Sequence, residues 1–123
     1  MTILAVEHVT QPKRSKTCGQ HCVAMMAGVD VADVIAKFGT SSTTPVQLLS
    51  MAKAFGLRQQ SSLWEINRDG EMPSTAILKL RKKGRRNFHW ACVIDGVIHD
   101  PSQSKTGVLA NRHEVVAFMV FDR

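Results

Sequence analysis

The sequence predicts an α+β domain in which N-terminal helices pack on a C-terminal antiparallel sheet. Three observations carry this. The first half shows helical spacing of apolar residues broken by capping residues. The second half changes to short runs separated by turn residues. At 123 residues, with 44% hydrophobic and 21% charged, the chain is one globular domain, 1–123, with little room for a second. Helices first and strands after is the α+β order.

Residues 3–9 (ILAVEHV) read as a short extended or strand-like segment, and 10–17 as a polar loop. Thr17 is placed to cap a helix that begins near Cys18 and runs to Gly28. Cys22, Val23, Met26 and Ala27 fall on one face of it, which predicts a buried face. Asp30 caps a second helix, VADVIAKF, with Val31, Val34, Ile35 and Phe38 as its apolar stripe and Gly39 as its stop. Thr44 followed by Pro45 starts a third, PVQLLSMAKAF, which ends at Gly56.

Beyond it the elements are strands. Leu57–Leu63 reads as a strand, 67–73 as a turn, and Ser74–Leu80 as a second strand. RKKGRRN, centred on Gly84, reads as a basic loop. Asp95-Gly96 is a strong type I′ hairpin signal between Phe88–Ile94 and Val97–Asp100. Residues 101–113 read as a loop and Val115–Phe121 as the last strand.

Sixteen Lys and Arg against ten Asp and Glu give a net charge of +6. The excess gathers in Lys13, Arg14 and Lys16, and in Lys79, Arg81, Lys82, Lys83, Arg85 and Arg86. Such clusters suit an acidic partner or nucleic acid, though a solvated loop is the plainer explanation. Seven aromatic residues without a tyrosine offer few platforms for stacked bases, which disfavours nucleic acid. The apolar run around Cys22–Val29 is too short to span a bilayer, so neither a membrane partner nor a transporter segment is expected. An odd cysteine count (Cys18, Cys22, Cys92) without a secretory signal points to a reducing, cytoplasmic compartment rather than a disulfide scaffold.

Cys18 carries the chemistry. A thiol in the first turn of a helix meets the positive end of the dipole and unpaired backbone N–H groups, which favour the thiolate. Gly19 is expected to leave room for substrate at the helix end. Cys22, one turn further, reads as core. A cysteine nucleophile needs a base, and the base an orienter. A two-residue turn at Asp95-Gly96 pairs Ile94 with Val97, Val93 with Ile98, Cys92 with His99 and Ala91 with Asp100. His89, Ala91, Val93 and Asp100 then share one face, with Asp100 diagonal to His89. Cys92 and His99 point the other way. One hairpin can thus deliver a His–Asp pair to Cys18. A zinc site fits poorly: Cys18, His21, Cys22, His89 and Cys92 form no CxxC or HxxxH pair, and no metal or other cofactor is expected.

TCGQHCVAMMAG followed by FHWACVIDGVIHDP resembles the papain-like cysteine peptidases, and most nearly the bacteriocin-processing, double-glycine leader peptidases and their stand-alone relatives. The likeness rests on an ordered set: Gln11, Cys18-Gly19, His89 and Asp100-Pro101. TTPVQLLSMAKAFGLR resembles that family's second helical segment, and MPSTAILKL its strand ahead of the histidine. The resemblance implies a papain-like fold with Cys18 as nucleophile, His89 as general base and acid, and Asp100 as orienter. It also implies that Gln11 and the Cys18 backbone N–H bind the oxyanion. Gln11 lies one residue further from Cys18 than is usual in the family, and the hairpin from His89 to Asp100 is shorter. The expected activity is a cysteine peptidase or related thiol amide hydrolase, including a deconjugating one, acting on a peptide or protein substrate. The basic loop would favour an acidic one. The competing reading is a non-catalytic basic binding module on a degenerate peptidase fold.

Overall fold

A computed structural model describes residues 6–13, 15–60, 64–66, 72–82, 84, 87–110 and 113–122. Among these residues three helices come first: α1 (Cys18–Ala27), α2 (Val31–Phe38) and α3 (Pro45–Ala54). Six strands follow: β1 (Arg58–Gln59), β2 (Glu65–Ile66), β3 (Ala76–Lys82), β4 (Phe88–Ile94), β5 (Val97–His99) and β6 (His113–Asp122). They form one antiparallel sheet in the order β1-β6-β3-β4-β5, with β2 also paired to β6. The α+β class and the order of helices before strands are as the sequence predicts.

α1 is buried from Gly19 to Met26, so it presents more than the single buried face expected from its spacing. It is the central helix, packed between α2, α3 and the sheet, and that position buries Gln20 and His21 along with its apolar side chains. Gly28, at φ 71°, ends it and donates its N–H to the Ala24 carbonyl. Two further helix starts form as their sequences dictate. The Asp30 side chain accepts from Ala32 N, and Thr44 and Gln47 complete a capping box ahead of Pro45.

The sheet separates two apolar layers. Ile77, Trp90, Cys92, Ile94, Met119 and Phe121 face the helices. Ala76, Leu78, Leu80, Ala91 and Val93 form the opposite layer with Val115, Phe118 and Val120. This is the period-2 alternation of strands buried on both faces.

Several boundaries differ from the sequence reading. Residues 6–9 form no strand, and 3–5 lie outside the described residues. Of Leu57–Leu63 only Arg58–Gln59 is strand, and 61–63 lie outside the described residues, as does 67–71 of the expected turn. β2 was not anticipated. β3 begins later than expected and runs on through Arg81 and Lys82, because its pairing to β4 and β6 continues there. Arg14, Lys83, Arg85 and Arg86 of the basic clusters lie outside the described residues. β6 begins two residues before the expected Val115.

Candidate active site

The β4–β5 hairpin forms in the expected register. Cys92 pairs with His99, Val93 with Ile98 and Ile94 with Val97. Asp95 and Gly96, at φ 51° and 81°, supply the two left-handed residues that a type I′ turn needs. β5 stops at His99 and so pairs only with the second half of β4, and Asp100 follows directly.

Asp100 meets His89 there. His89 Nε2 and Asp100 Oδ1 are 2.6 Å apart, and the carboxylate is fully buried. The loop that follows wraps the carboxylate. Oδ1 also accepts from Ser102 N (2.9 Å) and Ser102 Oγ (2.7 Å), and Oδ2 accepts from Ala110 N at 2.7 Å. Burial alone would raise the Asp100 pKa. The hydrogen bond and charge of His89, with the two bonds from Ser102, override it and hold the carboxyl below its ordinary range. Asp100 is therefore an anion whose Oδ1 meets three donors and whose Oδ2 meets one.

With Nε2 committed to Asp100, Nδ1 is the ring nitrogen left for Cys18, whose side chain lies close enough to raise the His89 pKa. Burial opposes the charged imidazole, but the bond to Asp100, the Cys18 side chain and the charges of both outweigh it. The His89 pKa is pushed up to about 9. Cys18, His89 and Asp100, named from sequence by separate arguments, thus come together from α1, β4 and the end of β5.

The helix side of the site departs from expectation. Thr17 occupies the N-cap position of α1, but its side chain caps nothing. Its buried hydroxyl lies 3.1 Å from Ser15 Oγ, and its carbonyl faces both the backbone N–H and the Nδ1 of His21. Gly19 does not open onto a substrate channel. A Cβ there would lie 3.1 Å from Thr43 Cβ and 3.2 Å from Leu48 Cδ1, so this glycine serves close packing against the loop before α3 and α3 itself.

Gln11 is tied in place by its backbone, whose N–H donates to the Pro101 carbonyl at 2.8 Å. Its side-chain Nε2 donates to Ser15 O and Ser15 Oγ, both at 3.1 Å, while Oε1 is buried without a partner among the described residues. The resting amide is therefore engaged within its own loop. Gln20 offers no replacement, because its Nε2 donates to the Gly39 and Ser41 carbonyls.

The remaining cysteines and histidines have other surroundings. Cys22 and Cys92 are wholly buried. Burial, then the neighbouring Cys92 thiol, keep Cys22 well above the ordinary thiol range, so it stays protonated. His99 turns to the helix side and stacks on His8, with Nδ1 atoms 3.0 Å apart, while His8 Nε2–H donates to the Gln103 carbonyl at 2.7 Å. Among the described residues no group of three or more His, Cys, Asp or Glu is placed to hold a metal ion, and no helix is long and apolar enough to cross a membrane.

Sequence reasoning missed the partners of Asp100. Asp-Pro-Ser carries a signal for one of them, since an aspartate commonly accepts from the backbone two residues on. The Ala110 N–H, ten residues away, has no local signal. No family model, curated protein or solved structure matches this chain.

Proposed function

We propose that the protein is a cysteine peptidase or related thiol amide hydrolase. The observation that carries this reading is the His89 imidazole, bonded through Nε2 to a buried aspartate and facing a half-buried cysteine at a helix start. A core histidine has no need of both partners, and pKa values displaced by a specific charge partner gather at functional sites.

In this reading His89 already holds the proton given up by the Cys18 thiol, and Sγ attacks the substrate carbonyl carbon as the thiolate. The tetrahedral oxyanion is held by backbone N–H groups of the first turn of α1, which have no intrahelical acceptors. Use of Gln11 as a further donor requires its Nε2 to leave Ser15. Collapse breaks the C–N bond, and His89 returns the proton to the leaving amine. Water, deprotonated by His89, then hydrolyses the thioester and frees Cys18. Asp100 keeps the imidazole in one orientation throughout and stabilises its cation. An isopeptide would react by the same steps, and a thioester would do so with its C–S bond breaking and a thiol leaving in place of the amine. Lys79, Arg81 and Lys82 on β3 would favour an acidic peptide or protein.

The experiment is a peptide-library digest read by mass spectrometry, with native protein, Cys18→Ala and His89→Ala side by side. Cleavage by the native protein alone is expected. Cleavage that survives Cys18→Ala would overturn the reading. Retention of oligonucleotides by a protein whose biological activity survives Cys18→Ala would favour the basic binding module.

A further inference from the structure

The pairing of β3 with β6 is irregular at one point. Lys79 pairs with Ala117, but the next residue, Leu80, pairs with Val115, so Val116 is an extra residue in β6. A bulge of this kind reverses which face each later side chain takes. On one side of it the odd positions Met119 and Phe121 face the helices, and the even positions Phe118 and Val120 face the opposite layer. On the other side Val115, an odd position, joins that opposite layer. His113, two residues before Val115, follows the same face.

That face is the one from which His89 projects. Leu80 pairs with both His89 and Val115, and Lys82 pairs with His113, so His113 stands two strands over and one step along from His89. The two rings meet across β3. Their centroids are 5.5 Å apart and their planes are inclined by 61°, the edge-to-face arrangement that aromatic rings favour. Without the extra residue, His113 would point with Met119 and Phe121 toward the helices.

We infer that His113 is a positioning residue for the reaction proposed above, delivered to the site by the Val116 bulge. Asp100 fixes one nitrogen of the His89 ring but leaves the ring free to rock about that bond. The His113 ring blocks this rocking and keeps Nδ1 aimed at Cys18. The role needs an aromatic ring at position 113 and no proton transfer from it. The inference rests on the Cys18–His89 reading, so its test must separate the two.

The test measures the second-order rate of Cys18 alkylation by iodoacetamide at pH 7 in native protein, His89→Ala, His113→Ala and His113→Phe, with far-ultraviolet circular dichroism as the check on folding. His89→Ala should slow alkylation most. His113→Ala should slow it about tenfold, and His113→Phe should restore it to within about twofold of native. A native rate in His113→Ala beside a slow His89→Ala would overturn the positioning role and leave the catalytic reading standing. Equal loss in His113→Ala and His113→Phe would also overturn it, because an aromatic ring would then not suffice. A native rate in His89→Ala would instead remove the Cys18–His89 reading itself. Should His113→Ala not fold, His113→Leu against His113→Phe gives the same contrast. Equal rates in those two variants count against the inference.

Discussion

The two sides of the site are built by different means. On the sheet side, His89 and Asp100 are fixed by strand register, a two-residue turn and a loop that donates three hydrogen bonds to the carboxylate. On the helix side, Cys18 is fixed by packing. Its helix has no side-chain cap, its neighbour Gly19 is pressed against Thr43 and Leu48, and the Gln11 amide is occupied by Ser15. The sheet side is held by many specific bonds and should tolerate little chemical change. The helix side is held by shape, and its donors can rearrange when a substrate arrives.

Replacing the nucleophile should have the largest effect. Cys18→Ser should lower hydrolysis of a cleaved peptide by about 10⁴-fold or more, as loss of a nucleophile does, with an unchanged melting temperature. A smaller loss would move the chemistry away from α1.

On the sheet side, Asp100→Asn should lower kcat by about 10²–10⁴-fold. It should also destabilise the fold by about 1–3 kcal/mol, because the new amide N–H₂ meets donors from His89, Ser102 or Ala110. His99→Ala should spare kcat, since its ring stacks on His8 and pairs in register with Cys92. A dead His99→Ala beside an active Asp100→Asn, in steady-state assays of both, would mean that the hairpin is out of register by one residue.

Gln11→Ala sharpens the contrast. If Nε2 leaves Ser15 for the oxyanion, the rate should fall about 10²–10³-fold while denaturant unfolding changes little. A normal rate would leave the α1 backbone amides as the whole of the oxyanion hole.

Gly19→Ala should have the smallest effect. Overpacking costs about 1–3 kcal/mol and the gain in helix propensity returns about 1. Urea denaturation should therefore show a net loss of about 1 kcal/mol, with kcat nearly intact. A large loss of kcat without loss of stability would restore the idea that Gly19 borders the substrate.

The same division decides what was legible in the sequence. The Asp95-Gly96 turn sets the register, and alternation then assigns His89 and Cys92 to opposite faces. These are local rules, and neighbouring strands reinforce them. Asp30, Thr44 and Pro45 start exposed helices, where capping is the main local force. Thr17 stands in the N-cap position of a helix buried on all sides, and there tertiary packing replaces the cap. The Val116 bulge and the Ala110 bond to Asp100 depend on strands and loops meeting at long range, which no short window of sequence records. The expected strand at Val115–Phe121 therefore begins two residues after His113.

The central claim is that one imidazole, His89, is held between Asp100 and Cys18. The most direct measurement is a pH titration of the histidine ring nitrogens by NMR, on protein labelled with ¹⁵N-histidine and assigned through His89→Gln. Because both partners favour the imidazolium, His89 should remain protonated through neutral pH and lose its proton at about 9. Asp100→Asn and Cys18→Ser should each lower that midpoint. A midpoint near the ordinary histidine value of about 6.5, unmoved by either substitution, would contradict the account.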